Sequence, residues 1–136
     1  MNKTFAMIKP DAIENKNIGS ILTMIEKNGF QVIRMQFVRL SIVQVEAFYE
    51  MHKGKSFFEE LIEYITSGPV ILLALQKENA VQEWRKLIGS TNPVNADVGT
   101  IRKMYAESIG RNAVHGSDSE ESAVRELEFF FNDLYL

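Results

Sequence analysis

The residue types best able to do chemistry cluster in Arg111-Asn112-Ala113-Val114-His115-Gly116-Ser117-Asp118-Ser119. Two small apolar residues lead into a lone His115. Gly116 then turns the chain into a run of small polar residues. Beyond them, Ala123, Leu127, Phe130, Phe131 and Leu134 follow helical spacing. The pattern is an extended segment that delivers an imidazole, a turn, and a helix start. Ser117 with Glu120 fits the capping-box spacing, and Asp118 with Glu121 offers a second N-cap register. A helix N-terminus welcomes anions through its free N–H groups. A neutral imidazole, with an ordinary pKa of about 6.5, is a base or nucleophile near neutrality. The same residues also fit a plain turn with a hydrogen-bonded histidine. A Ser-His-Asp hydrolase is excluded, because such triads gather their members from distant parts of a chain.

Other parts of the chain must supply whatever surrounds that imidazole. Thr4-Phe5-Ala6-Met7-Ile8 reads as a buried strand ended by Lys9 and Pro10. A lysine there is either a surface cap or a cation facing a cleft. Ile18, Ile21, Leu22 and Ile25 mark a helix that Asn17 can cap, stopped by Asn28-Gly29 with Gly29 left-handed. Residues 31–40 read as a strand with Ile33, Met35 and Phe37 on one face, opposite Arg34 and Gln36. Residues 41–50 are helical, with Val45, Phe48 and Tyr49 on the apolar side, and 59–66 form a short helix ended by Ser67-Gly68-Pro69. Gly54-Lys55-Ser56 is not a phosphate-binding P-loop, since the required upstream glycine position holds Tyr49.

Val70-Ile71-Leu72-Leu73-Ala74-Leu75 is apolar at every position, as a central strand covered on both faces would be, or one covered by helices on one face and a partner on the other. Residues 78–87 form a helix with Val81, Trp84 and Leu87 inward and Arg85 near its end. Residues 90–111 show weak periodicity and many loop formers, and carry Arg102, Lys103 and Arg111. Stripped of insertions the order is β-α-β-β-α-β. It predicts an α/β (α+β) ferredoxin-like sandwich: a four-stranded antiparallel sheet, helices packed on one face, and a long loop before the last strand.

With 136 residues, the expectation is one domain spanning residues 1–136. The absence of cysteine removes disulfides, thiolate metal sites and cysteine nucleophiles. A formal net charge of −3 argues against a general nucleic-acid binder. The start carries no apolar stretch long enough for a signal peptide, and no run approaches a membrane span, so a soluble, cytoplasmic protein is expected.

Taken together, these residues resemble nucleoside diphosphate kinases over almost the whole chain. The match runs through Ile8-Lys9-Pro10-Asp11, Phe57-Phe58, Ser67-Gly68-Pro69-Val70, Thr91-Asn92-Pro93, Gly99-Thr100-Ile101-Arg102 and Asn112-Ala113-Val114-His115-Gly116-Ser117-Asp118-Ser119. The resemblance implies an enzyme that moves the terminal phosphate of a nucleoside triphosphate such as ATP to a nucleoside diphosphate by ping-pong chemistry. It implies that His115 is the nucleophile, attacking through Nδ1. Lys9, Arg85, Thr91, Arg102 and Asn112 would contact phosphate and sugar, Phe57 would stack on the base, and Tyr49 would sit beside the phosphates. Glu126 would orient the imidazole.

The residues themselves accord with those roles. Phosphoryl transfer needs positioning and charge neutralisation, and Lys9, Arg85 and Arg102 bring cations from three separate elements. Each alone reads equally as a solvated surface charge. Glu126 lies on the border of the apolar stripe, where it is either a rim ion-pair partner or a carboxylate accepting the proton of the imidazole nitrogen that does not attack. Of two adjacent aromatics, one goes to the core and the other is left exposed as a platform tolerant of base identity. Mg²⁺ would be held mainly by nucleotide phosphates and water, with no dedicated carboxylate cage. Val98 replaces a proline common in the family, and Lys103-Met104 replaces a small residue and an aspartate. The short tail after the last helix favours a homo-oligomer that is a dimer or tetramer over a hexamer. The competing reading is a ferredoxin-like nucleotide-binding regulatory module that kept the pocket without the catalysis.

Overall fold

A computed structural model describes residues 2–134. Four strands form one sheet: β1 (Lys3–Ile8), β2 (Gln31–Val38), β3 (Val70–Gln76) and β4 (Val114–Gly116). Their order is β2-β3-β1-β4, and every neighbouring pair is antiparallel. This is the ferredoxin-like arrangement expected from the element order.

The helices cover both faces of the sheet, not one. Strands β1 and β3 are buried at almost every position, so each face needs its own cover. Ala6, Ile8, Ile71, Leu73 and Leu75 pack under α2 (Ile18–Lys27) and α5 (Ala80–Ile88) through Ile21, Ile25, Trp84 and Ile88. Phe5, Met7, Leu72 and Ala74 pack under α3 (Ile42–Phe48), α4 (Phe58–Thr66) and α7 (Glu120–Phe130).

Other expectations need correction. Strand β2 shifts register between Val32 and Arg34, so a bulge at Ile33 interrupts the alternation. Ile33 packs with the α3–α4–α7 side, whereas Met35 and Phe37 pair with Leu73 and Ile71 and stand exposed on the other. Pro10 does not simply end a strand. It opens the short helix α1 (Pro10–Glu14), where a missing N–H does no harm. The long loop likewise holds a 3-10 turn at Pro93–Asn95 and a short helix α6 (Ile101–Tyr105), capped by Thr100. At the last helix neither expected cap register is used. Ser119 is the N-cap, accepting from the Ser122 N–H at 3.0 Å.

Candidate active site

Cross-strand pairing decides where His115 points. Met7 pairs with His115 and Ala6 with Gly116, so adjacent residues of β4 face opposite sides of the sheet. His115 faces the α3–α4–α7 layer. Its ring lies 5.8 Å from Phe5, 5.4 Å from Phe48 and 6.0 Å from Tyr49, centroid to centroid. Gly116 faces α5, where a Cβ would come within 2.9 Å of Trp84. A glycine is therefore needed for close packing there, and the Trp84 Nε1–H donates to the His115 carbonyl at 3.1 Å. The His115 backbone is held from one side of the sheet and its ring from the other.

Glu126 of α7 is buried, and its Oε1 lies 2.8 Å from His115 Nε2. The same oxygen accepts from Ser117 Oγ at 2.8 Å. Ser117 is fully buried, which explains why it does not cap α7. A carboxylate oxygen accepts and does not donate, so in the neutral ring the proton sits on Nε2 and the lone pair on Nδ1.

Lys9, at the end of β1, is buried, and its Nζ donates to Asn112 Oδ1 at 2.8 Å. Burial lowers its pKa to about 7, the nearby Arg102 charge adds to the fall, and Asp11 opposes it. Arg102 is also buried. Its Nε–H donates to the Asn112 carbonyl at 3.3 Å, and its terminal nitrogens donate to Gly89 at 3.0 Å and Val114 at 2.9 Å. Three of the five guanidinium N–H groups thus clamp backbone, and two remain for an anion. Burial brings the Arg102 pKa down to about 10, with the Arg85 charge contributing, so it stays a cation at neutral pH. Arg85 is exposed on α5 and lies near enough to act on Arg102 and on Asp118.

Tyr49 is buried, and its hydroxyl has no hydrogen-bond partner among the described residues. Burial and the Glu126 charge push its pKa well above the usual phenol value. An orphaned buried hydroxyl beside His115 is a hydrogen-bond donor available to an anionic ligand. Phe58 is buried, while Phe57 is 44% exposed. Phe57 ends a line of rings that runs through His52, 5.3 Å away, and Tyr49 to His115. Thr91 is exposed ahead of the Pro93–Asn95 turn. No hydrogen bond ties it to the other residues among those described. The structure thus brings His115, Glu126, Lys9, Asn112, Arg102 and Tyr49 together, sets Phe57 and Arg85 at the margin, and shows Thr91 exposed with no hydrogen bond to any of them.

Sequence reasoning did not single out Ser117 as a partner of Glu126, nor Asp11. Asp11 is completely buried; its Oδ2 accepts from the Ala113 N–H at 3.0 Å and its Oδ1 from the Tyr64 hydroxyl. Ala113 has a φ of 73°, and Val114 N–H donates to the Asn112 carbonyl at 2.8 Å. This is a γ-turn of the positive-φ kind, the more strained of the two. Holding a non-glycine residue there costs on the order of 1–3 kcal/mol.

A sequence model of the family described as "Nucleoside diphosphate kinase" matches residues 2–135. A nucleoside diphosphate kinase of Geobacter sp. (strain M21) is 53% identical over 136 residues, covering 100% of this chain and 99% of its own. That of Lawsonia intracellularis is 51% identical over 132 residues, covering 97% and 96%. Among solved structures, the Aquifex aeolicus nucleoside diphosphate kinase superimposes with a TM-score of 0.93 at 36% identity, over 96% of this chain and 94% of that one. The Halobacterium salinarum enzyme, solved in complex with CDP, gives 0.93 at 36% identity, over 98% and 90%. Relatedness of this closeness, end to end in sequence and in fold, places the chain in the nucleoside diphosphate kinase family.

Proposed function

We propose that the protein transfers the terminal phosphoryl group of a nucleoside triphosphate, ATP foremost, to nucleoside diphosphates through a phosphohistidine on Nδ1 of His115. The observation that carries this reading is the short contact between His115 Nε2 and the buried Glu126, which leaves the other ring nitrogen as the nucleophile. In the first half-reaction the Nδ1–P bond forms as the bond from the γ-phosphorus to the β,γ-bridging oxygen breaks, and the nucleoside diphosphate departs. In the second, a diphosphate oxygen attacks the same phosphorus and the imidazole is regenerated. Splitting the transfer this way lets one site serve donor and acceptor in turn. The Nε2 proton stays against Glu126 throughout, which stabilises the positive ring as phosphorus bonds to it.

Lys9, Arg102 and the marginal Arg85 neutralise the phosphates, with Tyr49 donating its orphaned hydroxyl to a phosphoryl oxygen. Asn112 and Thr91 contact sugar and phosphate, and Phe57 stacks on the base. CDP in the Halobacterium salinarum relative is a ligand of the class this site suits. Mg²⁺ enters on the nucleotide. The donor set fits that arrangement, because no group of three or more histidines, aspartates or glutamates able to cage an ion occurs among the described residues. When bound, the ion spreads the charge of the phosphate oxygens. A non-catalytic regulatory module would leave the buried Ser117–Glu126 pair that holds the His115 ring without a task.

Residues 1–136 act as one such domain. No helix among the described residues is long and apolar enough to cross a membrane, which accords with a cytoplasmic site of action. A homo-oligomer accords with the exposed Met35, Phe37, Val98 and Met104, and sedimentation velocity measures its size.

The test of the reaction is direct. Wild-type protein incubated with ATP and Mg²⁺ is expected to gain an acid-labile, base-stable phosphate by intact mass, and to pass it to added diphosphate. His115→Ala should lose both the adduct and the transfer. Substantial turnover by His115→Ala would falsify the phosphohistidine route.

A further inference from the structure

We infer that Asp11 is a positioning residue for the nucleophile: its carboxylate holds Ala113 in a positive-φ turn two residues ahead of His115 and so fixes where the imidazole points. The inference rests on the reading of His115 as the phosphoryl acceptor.

The turn at Asn112-Ala113-Val114 is gripped on all sides. Ala113 N–H donates to Asp11 Oδ2 at 3.0 Å, and its carbonyl accepts from the Lys9 backbone N–H at 2.8 Å. Arg102 holds the carbonyls of Asn112 and Val114. Lys9 Nζ holds the Asn112 side chain. These partners come from the β1–α1 corner and from α6, far from the turn in sequence.

Alanine does not adopt a φ of 73° willingly. Relaxing to a negative φ would rotate the peptides on either side and drag Val114 and His115 off their pairing with Ile8 and Met7. The short strand β4, Val114–Gly116, has little pairing of its own with which to resist. Of the grips on the turn, Asp11 alone is a charged acceptor, and an N–H bonded to a carboxylate is held more strongly than one bonded to a neutral group. It also satisfies an amide that is otherwise buried. The other carboxylate oxygen is fixed by the Tyr64 hydroxyl, so the group cannot swing away. Asp11 is fully buried and touches no substrate; it acts through Ala113.

The experiment compares wild type, Asp11→Ala, Asp11→Asn and the double variant Asp11→Ala/Ala113→Gly. Single-turnover phosphorylation by ATP is followed by mass, and ADP affinity by calorimetry. Asp11→Ala is expected to phosphorylate about 10- to 100-fold more slowly, the range a misplaced reacting group produces, while ADP affinity holds. Asp11→Asn, whose amide oxygen can still face Ala113 N–H, should recover most of the rate. The double variant should recover part of it, because glycine takes a positive φ freely. A wild-type rate in Asp11→Ala, an equal loss of affinity and rate, or no recovery with glycine overturns the proposal.

Imidazole ¹⁵N NMR reads the same device without turnover: the Nε2 hydrogen bond of His115 should weaken in Asp11→Ala and persist in Asp11→Asn. If wild type takes no phosphate from ATP, the functional reading falls, and the NMR comparison still decides Asp11. If Asp11→Ala does not fold, the Ala113 amide decides it. Its proton should resonate downfield in wild type and move upfield in Asp11→Asn; an unshifted resonance overturns the inference.

Discussion

The Lys9 ammonium is the residue whose burial has the clearest thermodynamic signature. Its folded pKa of about 7 lies below the unfolded value of 10.5, so the folded state disfavours its charge. Between these values the unfolded chain binds one more proton at this group than the folded chain. Unfolding free energy therefore rises with pH across this window, by about 1 kcal/mol per pH unit, and the full penalty applies below pH 7. Arg102 is depressed only to about 10, above the range from pH 7.5 to 9 that matters here. Urea unfolding in that range should show the slope in wild type and a flat profile in Lys9→Met; parallel profiles would show that the ammonium is not penalised. A phosphate beside Lys9 restores its charge, so binding of ADP near pH 7 should take up a fraction of a proton, measurable by calorimetry in buffers of different ionisation heat. At this scale the sequence shows His115, Lys9 and Glu126 through position and type. It hides Ser117 and Asp11, because a serine among several cap candidates and an aspartate after Pro10 look like local turn chemistry until the fold brings Glu126 and Ala113 to them.

At the scale of elements, α3 carries Phe48 and leads into Tyr49, both packed on the imidazole, yet it is only seven residues long. A helix that short depends on its ends and its packing. Ser41 accepts from the Gln44 N–H at 3.1 Å and Gln44 Oε1 accepts from the Ser41 N–H at 2.9 Å, a complete capping box. Ser41→Ala should lower stability by about 1 kcal/mol in urea, with faster amide exchange confined to α3. The long helices and β3 were readable because their apolar spacing is strong. The short helices α1 and α6 were not, since five residues carry too little periodicity to register. The Ile33 bulge was hidden for a different reason: strict alternation in the sequence gives no sign of an extra residue in the ladder.

For the whole molecule, the sheet is a septum with two separate cores; the His115 ring packs against one of them, while Arg85 and Arg102 come from α5 and α6, which pack into the other. The element order announced the strand topology, but not which layer each helix joins. Helices α3, α4 and α7 are brought to one face by chain crossings that spacing alone does not encode. The two layers meet at β4. There Gly116 lets α5 press against the strand, and the Trp84 indole reaches the His115 carbonyl from the far side.

That contact makes the molecule its own optical reporter. Trp84 is the chain's single tryptophan and is fully buried, so all indole emission comes from a group hydrogen-bonded to the His115 carbonyl. Loading the imidazole with a phosphoryl group should perturb that carbonyl and change the emission intensity. Stopped-flow fluorescence would then time each half-reaction in unlabelled protein. Emission that stays constant while mass spectrometry records the adduct would show that strand β4 does not relay the event.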